Sequence, residues 1–303
     1  MRALIFVLMT AALVACSSAP PPPEGVQDRK NRAADYLKFG QNAFQAVQYQ
    51  QALQFYQIAL DLDTAVDNEA GMTVAWNSIA AAQTALGKID EARVSLTQAG
   101  AMANHTGNRT LILQVAVNLV QADLAEGDDD SARTRLTSLQ PFPETAEGAA
   151  LNHALGTLEK NSDHPKEAMA AFEKALAVNQ KLGLKQEMAS NHFMKASVLG
   201  HEGNWTAAQS ELEAALILDR TMENTLGIGQ DWRALGTVAV KLDKPKDAFD
   251  AYVRAERLFQ TAGLADQRRK TIELLLPVTQ TLALDEETER YKTILDKLSN
   301  AQQ

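Results

Sequence analysis

Beyond residue 32 the polar and apolar positions alternate with a helical period rather than that of a strand, and one short pattern recurs. It is Ala, a large apolar residue four positions on, then Ala three further. Copies stand at Ala52/Tyr56/Ala59, Ala92/Leu96/Ala99, Ala168/Phe172/Ala175, Ala208/Leu212/Ala215 and Ala248/Tyr252/Ala255, with a weaker one at Ala132/Leu136/Leu139. Twelve residues before each leading alanine is a tight position, held by Gly40, Ala80, Val120, Gly156, Ala196 and Gly236. The pattern predicts pairs of antiparallel helices, A then B, in which an A-helix Gly or Ala faces the B-helix Ala. The axes then approach the short end of the usual range of about 8–10 Å. The large residue is expected to fill the gap to the next pair. No single hairpin can bury its apolar face, so neighbours must stack. Turn chemistry fits: Leu86-Gly87-Lys88-Ile89-Asp90 offers a glycine stop and an Asp N-cap, and Pro165 and Pro245 stand where a first helical residue belongs.

Leading alanines fall at 52, 92, 132, 168, 208 and 248, so the step is 40 everywhere except for one of 36. Around the short step the third copy carries Val120 and Leu139 where small residues are expected, and Pro141-Phe142-Pro143 breaks its B helix. Two readings stand: a tolerated irregularity, or a bend between two three-repeat halves. After residue 264 the alanine pattern fails. Residues 268–282 and 285–298 still predict two amphipathic helices, with stripes at Ile272, Leu275 and Leu276 and at Tyr291, Ile294, Leu295 and Leu298. Terminal units of a stack are atypical because one face meets water, so this pair reads as a cap.

Tyr36, Trp76 and Trp232 open three of the A helices, and Trp232-Arg-Ala-Leu235-Gly236 is an intact W-x₂-L-G. With the Ala-x₃-large-x₂-Ala cores, the chain over about residues 33–260 resembles the tetratricopeptide repeat family. The resemblance implies an all-α fold, a right-handed superhelix (α-solenoid) of six repeats over 33–264 with C-terminal capping helices over 265–303. The common repeat is about 34 residues long. The extra six fall between one B helix and the next A helix, as in Leu182-Gly183-Leu184-Lys185-Gln186-Glu187 and Leu226-Gly227-Ile228-Gly229. This resembles the long-repeat variant of kinesin light chains, cell-polarity adaptors and bacterial peptide-sensing regulators, members of which bind extended peptides along the concave wall of A helices.

The N-terminus reads differently. Arg2 precedes an apolar run from Ala3 to Leu13, the length of a signal-peptide core and short of the roughly 20 residues a spanning helix needs. The run closes in Leu13-Val14-Ala15-Cys16, which resembles a bacterial lipoprotein signal. That resemblance implies removal of residues 1–15 and lipidation of Cys16, and Ser17 in place of an inner-membrane retention Asp favours the periplasmic face of the outer membrane. Residues 16–32, with Pro20 to Pro23 prone to polyproline II, are expected to form a tether.

The balance of 29 Lys plus Arg against 38 Asp plus Glu gives a net charge of −9, the wrong sign for nucleic acid. One cysteine and five scattered histidines exclude a disulfide framework and a Cys-rich zinc site. His153 and His164, and His192 and His201, lack the i, i+4 spacing of paired ligands, and no hydrolase, nucleotide or zinc-protease motif occurs. Asp128-Asp129-Asp130 lacks the Gly and Glu of a calcium loop and reads as a turn with N-caps. No enzyme, cofactor or metal is expected.

Starting the repeats at 33, 73, 113, 149, 189 and 229 lets the fifth, ninth and thirteenth residues be read as the wall. It is mostly neutral, with amides and hydroxyls able to bond a peptide backbone, and turns positive only at Lys160, Arg233 and Lys241. The candidate partner-binding residues are Asn77, Gln121, His153, Thr157, Arg233, Thr237 and Lys241. The expected function is that of a membrane-anchored, periplasm-facing lipoprotein that scaffolds other envelope proteins or peptides through this groove. The alternatives are a peptide-binding sensor, or a pilotin-like assembly factor for a pilus or secretion system, against which the 40-residue period counts.

Overall fold

The computed structural model describes residues 25–300. The signal segment, Cys16 and the proline run lie outside the described residues. Seven antiparallel pairs follow one another: α1 (Val26–Gln45) with α2 (Tyr49–Thr64), α3 (Glu69–Ala85) with α4 (Ile89–Thr106), α5 (Arg109–Glu126) with α6 (Asp129–Ser138), α7 (Ala146–Asn161) with α8 (Pro165–Leu182), α9 (Lys185–His201) with α10 (Trp205–Thr221), α11 (Thr225–Lys241) with α12 (Pro245–Thr261), and α13 (Ala265–Thr281) with α14 (Asp285–Asn300). Each helix packs on its partner and on the following pair, an α-solenoid. No described helix is long and apolar enough to cross a membrane.

All six leading alanines are fully buried, as are Ala59, Ala99, Ala175, Ala215 and Ala255. The close approach is not the one expected, however. Glycine at the tight position faces the B-helix aromatic of its own pair rather than the alanine. A Cβ on Gly40 would enter the Tyr56 ring, one on Gly156 would lie 2.7 Å from Phe172, and one on Gly236 would lie 2.6 Å from Tyr252. The partners are sixteen residues apart because the antiparallel helices bring those two levels together. Where the tight residue is Ala80, Val120 or Ala196, the partner at the same offset shrinks to Leu96, Leu136 or Leu212. The pair keeps a near-constant volume, as close packing demands.

The extra residues of the long repeat also fall elsewhere than expected. They lengthen the helices, and the connections shrink to two to four residues at every joint but one. Leu226 to Gly229 lie inside α11, where Gly227 abuts the Asp219 carboxylate and Gly229 the Phe259 ring. Twelve of the turns hold one residue in the left-handed region. Glycine serves at Gly87, Gly107, Gly127, Gly183, Gly203 and Gly263, while Val47, Asp67, Asp163, Glu223, Asp243 and Ala283 take it at a steric cost. Pro165 and Pro245 are first helical residues, as the sequence predicts. Asp90 is no N-cap: α4 starts one residue earlier, at Ile89, which places Asp90 in the first turn, facing the helix dipole. Asp128 does cap α6, accepting from the Ser131 N–H at 3.1 Å.

At the other end, α1 begins at Val26, so the last seven residues of the expected tether are helical. None of them is buried, and an overhanging helix has no apolar period to betray it. The irregular joint lies after α6, the shortest helix. Pro143 leads straight into α7, where Gly148 leaves room for its carbonyl. A single core runs across the joint, with Val117 and Val120 of α5, Leu136 of α6 and Leu151 and Leu158 of α7 in one cluster. Ion pairs fasten the short helix on both sides: Arg135 to the buried Asp123 at 2.7 Å and Arg133 to Glu159 at 2.6 Å. Of the two readings, a tolerated irregularity fits this continuity.

The last pair caps the stack. Ile272, Leu275 and Tyr291 are buried against Tyr252 and Ala248. Thr288 stands forty residues after Ala248, at the leading position, and its hydroxyl donates to that of Thr279 at 2.8 Å. The solenoid also curves: residues of the first hairpin, Phe44, Gln45, Val47 and Tyr49 among them, line two open cavities together with α9 and the start of α11.

Candidate functional site

The inner wall is built by the A helices and holds a cleft of about 710 Å³ between α9, α11 and α13. Helical spacing places Phe193, Ser197 and His201 in one row on α9, and Gln230, Arg233 and Thr237 in the next row on α11. Phe193, Trp205 and Leu274 give the cleft an apolar floor and sides, and Leu274 remains 41% exposed. Lys160 reaches it from α7.

Arg233 dominates the electrostatics. Its Nη1 donates to Gln267 Oε1 at 2.7 Å, and its guanidinium lies 5.5 Å from the Phe259 ring centroid. No carboxylate pairs with it among the described residues, and burial pushes its pKa down without removing its charge. Thr237 donates to the Arg233 carbonyl at 3.2 Å and shares a hydrogen bond of 3.1 Å with the Tyr252 hydroxyl. Lys241 sits 5.8 Å from the Trp205 ring, an attraction between a cation and an aromatic face that holds the indole at the cleft edge. The arrangement offers an apolar surface, backbone-bonding side chains and a fixed, unneutralised guanidinium. It can hold an extended segment carrying an acidic group.

Of the seven residues singled out in the sequence, Arg233 and Thr237 meet in the cleft, with Lys241 behind its Trp205 edge. Asn77 and Gln121 lie on an earlier stretch of wall. Gln121 is exposed, whereas Asn77 is half-buried, its backbone carbonyl accepting from Asn118 at 3.2 Å. His153 is spent on packing: Nδ1 is 2.9 Å from Asn191 Oδ1, the ring sits edge-on to Phe172, and burial lowers its pKa. Thr157 donates to the His153 carbonyl at 3.1 Å. Reading the fifth, ninth and thirteenth positions missed Gln230, at the second position of its repeat. It also missed Leu274, beyond the end of the alanine register, and Trp205, which opens a B helix. The Trp205 signal was a lone large aromatic beside a turn.

Comparisons with known proteins agree with this geometry. Residues 149–182 match the tetratricopeptide repeat family. No curated protein matches the chain by sequence. Among solved structures, a Rap protein complexed with competence and sporulation factor superposes with a TM-score of 0.66 at 14% identity, covering 89% of this chain and 75% of that one. The quorum sensor NprR from B. thuringiensis gives 0.65 at 15% identity over 89% and 77%. BtubC from P. vanneervenii gives 0.53 at 16% identity over 78% and 92%. This fold is typically a non-catalytic scaffold for binding other proteins or peptides. The stacked helix pairs thus share the fold of these structures, and one of the pairs, residues 149–182, matches the tetratricopeptide repeat.

Proposed function

We propose that this chain is a bacterial envelope lipoprotein, anchored through Cys16 and facing the periplasm, that scaffolds an envelope complex by holding a segment of a partner protein in the cleft between α9, α11 and α13. One observation carries the reading: an apolar cleft of about 710 Å³ on the inner wall contains a half-buried Arg233 with no acidic partner among the described residues. An unneutralised cation in a concave apolar site is costly unless an anionic group of a ligand meets it. The lipoprotein part is supported by the Leu-Val-Ala-Cys ending of the apolar leader. Arg233→Gln with Lys160→Gln should abolish capture of the partner segment while helicity by circular dichroism is kept; undiminished capture refutes the cleft as the site. Cys16→Ser should end incorporation of radiolabelled palmitate, and continued incorporation refutes the anchor.

A sensor reading has its own support. The chain curves until its first hairpin meets α9 and α11, so a ligand bound there would couple the two ends. Both the quorum sensor and the Rap protein share the fold.

A further inference from the structure

Next to the cleft, and sharing Phe193 and Gln230 with it, lies a smaller cavity of about 270 Å³ where the first hairpin meets α9 and α11. It far exceeds the roughly 30 Å³ that one water molecule takes up. Its inner end is Asp219 of α10 and Asp231 of α11, and its walls include Phe44, Tyr49 and Gln186.

The repeats show that Asp231 is an addition. Asp219 belongs to a self-contained unit: the Asn224 side-chain amide donates to its Oδ1 at 2.8 Å, and Gly227 leaves room for the carboxylate. The same unit occurs between α2 and α3, where Asn68 donates to Asp63 at 2.6 Å beside Gly71. Twelve residues after Asp63 stands Ala75, fully buried; twelve after Asp219 stands Asp231. The equivalent buried positions in the other pairs hold Val115, Leu151, Asn191 and Thr271. The first pair has an acid there too, Asp35, but it is exposed; Asp231 is an acid buried where the other pairs bury apolar or neutral side chains. It is 1% exposed and hydrogen-bonds Asp219, yet its Oδ2 has no partner.

A buried carboxyl oxygen left unbonded costs stability, and a second carboxyl beside it adds repulsion. Neither is needed to build the joint, since the α2–α3 joint does without. Both are relieved by a cation that donates hydrogen bonds, and aromatic walls favour the same guest. We infer that this cavity binds an ammonium group of a peptide segment, either a lysine side chain or a free amino terminus, held by Asp219 and Asp231 beside Phe44 and Tyr49. The inference rests on the reading of the inner wall as a peptide site and fixes the charge at a second point along it, opposite in sign to Arg233. A segment lying from this cavity into the cleft carries a cation at one end and an anion at the other. Its binding ties the first hairpin to α9 and α11.

The titratable groups lining the cavity are Asp219, Asp231 and Tyr49, with Glu223 in the neighbouring cavity and Lys160, His201 and Arg233 in the adjoining cleft. Burial raises Asp219, Asp231 and Tyr49 alike, and none of the residues lining this cavity is Lys, Arg or His.

The test uses three small probes on the purified full-length chain, followed by NMR at the side-chain amides of Gln186 and Gln230. They are N-acetyl-lysine methylamide, alanine methylamide with its free amino group, and N-acetyl-norleucine methylamide as the neutral control. An ammonium probe should shift those amides and norleucine should not; which of the two binds more tightly identifies the source. Asp231→Asn should weaken the ammonium probe at least about tenfold, the worth of one charge-assisted hydrogen bond. Asp231→Ala, which places there the residue that the α2–α3 joint carries at position 75, should do the same. Affinity for the lysine probe should rise between about pH 6 and about pH 8.5, as the pair loses its shared proton while the side-chain amine keeps its own; the α-amino probe, which loses its proton near about pH 8, is compared below about pH 7. Equal binding of norleucine, undiminished binding by both variants, or no shift at the solubility limit of the ammonium probes overturns the inference. Arg233→Gln leaves the ammonium probes unaffected, so failure here and failure of the cleft are read separately.

Discussion

Gly156 and Phe172 show how much one methyl group decides. With a Cβ at residue 156 placed 2.7 Å from the ring, Gly156→Ala must push the ring or the helices apart, at about 1–3 kcal/mol. Phe172→Leu alone leaves a hole. Made together, the two changes reproduce the Ala80/Leu96 and Ala196/Leu212 pairs found in other repeats. Chemical denaturation of the double-mutant cycle should therefore show a favourable coupling of at least about 1 kcal/mol. Additive losses would mean that the tight position and the large residue do not meet. At Asp231 the residue scale predicts a pH effect. Burial first, then the charge of Asp219, lifts its carboxyl from 3.8 to about 8. The folded state holds this proton more tightly than the unfolded one. Its contribution to stability is therefore complete below about pH 4 and lost as the pH rises through about 8. Thermal melts from about pH 5 to about pH 9 should show Asp231→Asn gaining on the wild type as the pH rises. A constant difference would contradict the shift.

The helices were legible because alanine spacing survives burial: every leading alanine sits at a helix–helix contact, and its sequence period is the period of the stack. Their ends were less so. Helix α1 starts seven residues before the apolar pattern, and none of those seven is buried, so no apolar period marks them. The six added residues were placed between one B helix and the next A helix, yet Gly227 and Gly229 lie within α11, where they admit Asp219 and Phe259. A glycine that ends a helix and one that admits a neighbour look alike in one dimension. Turns offer the cleanest test at this scale. Ala283 is exposed with φ at 52°, a conformation that costs a residue bearing a Cβ about 1 kcal/mol. Ala283→Gly should raise stability by about 0.5–1 kcal/mol, provided the α13–α14 turn keeps this form. A loss of stability on denaturation would mean that it does not.

At the scale of the whole molecule, sequence reasoning found the wall but not where it becomes a site. Asn77, Gln121 and His153 occupy the predicted register, yet only around α9 and α11 do three A helices, a tryptophan from a B helix and a leucine from the cap converge on one cleft. That convergence depends on curvature, which no repeat encodes by itself. The same holds for the first hairpin, which approaches α9 and α11 from more than a hundred residues away in sequence. The alternating signs along this wall, Asp219 with Asp231 and then Arg233 with Lys160, belong to the assembled superhelix. They suit a guest with charges of both signs.

Site-specific photo-crosslinking in living cells tests the central claim most directly, with the cross-linker at Leu274 inside the cleft and, separately, at Val94 on the exposed face of α4. The cleft reading predicts a discrete adduct from position 274 and not from position 94, which disappears when Arg233→Gln is introduced. An adduct from position 94 alone, or one from position 274 that Arg233→Gln leaves undiminished, would contradict it.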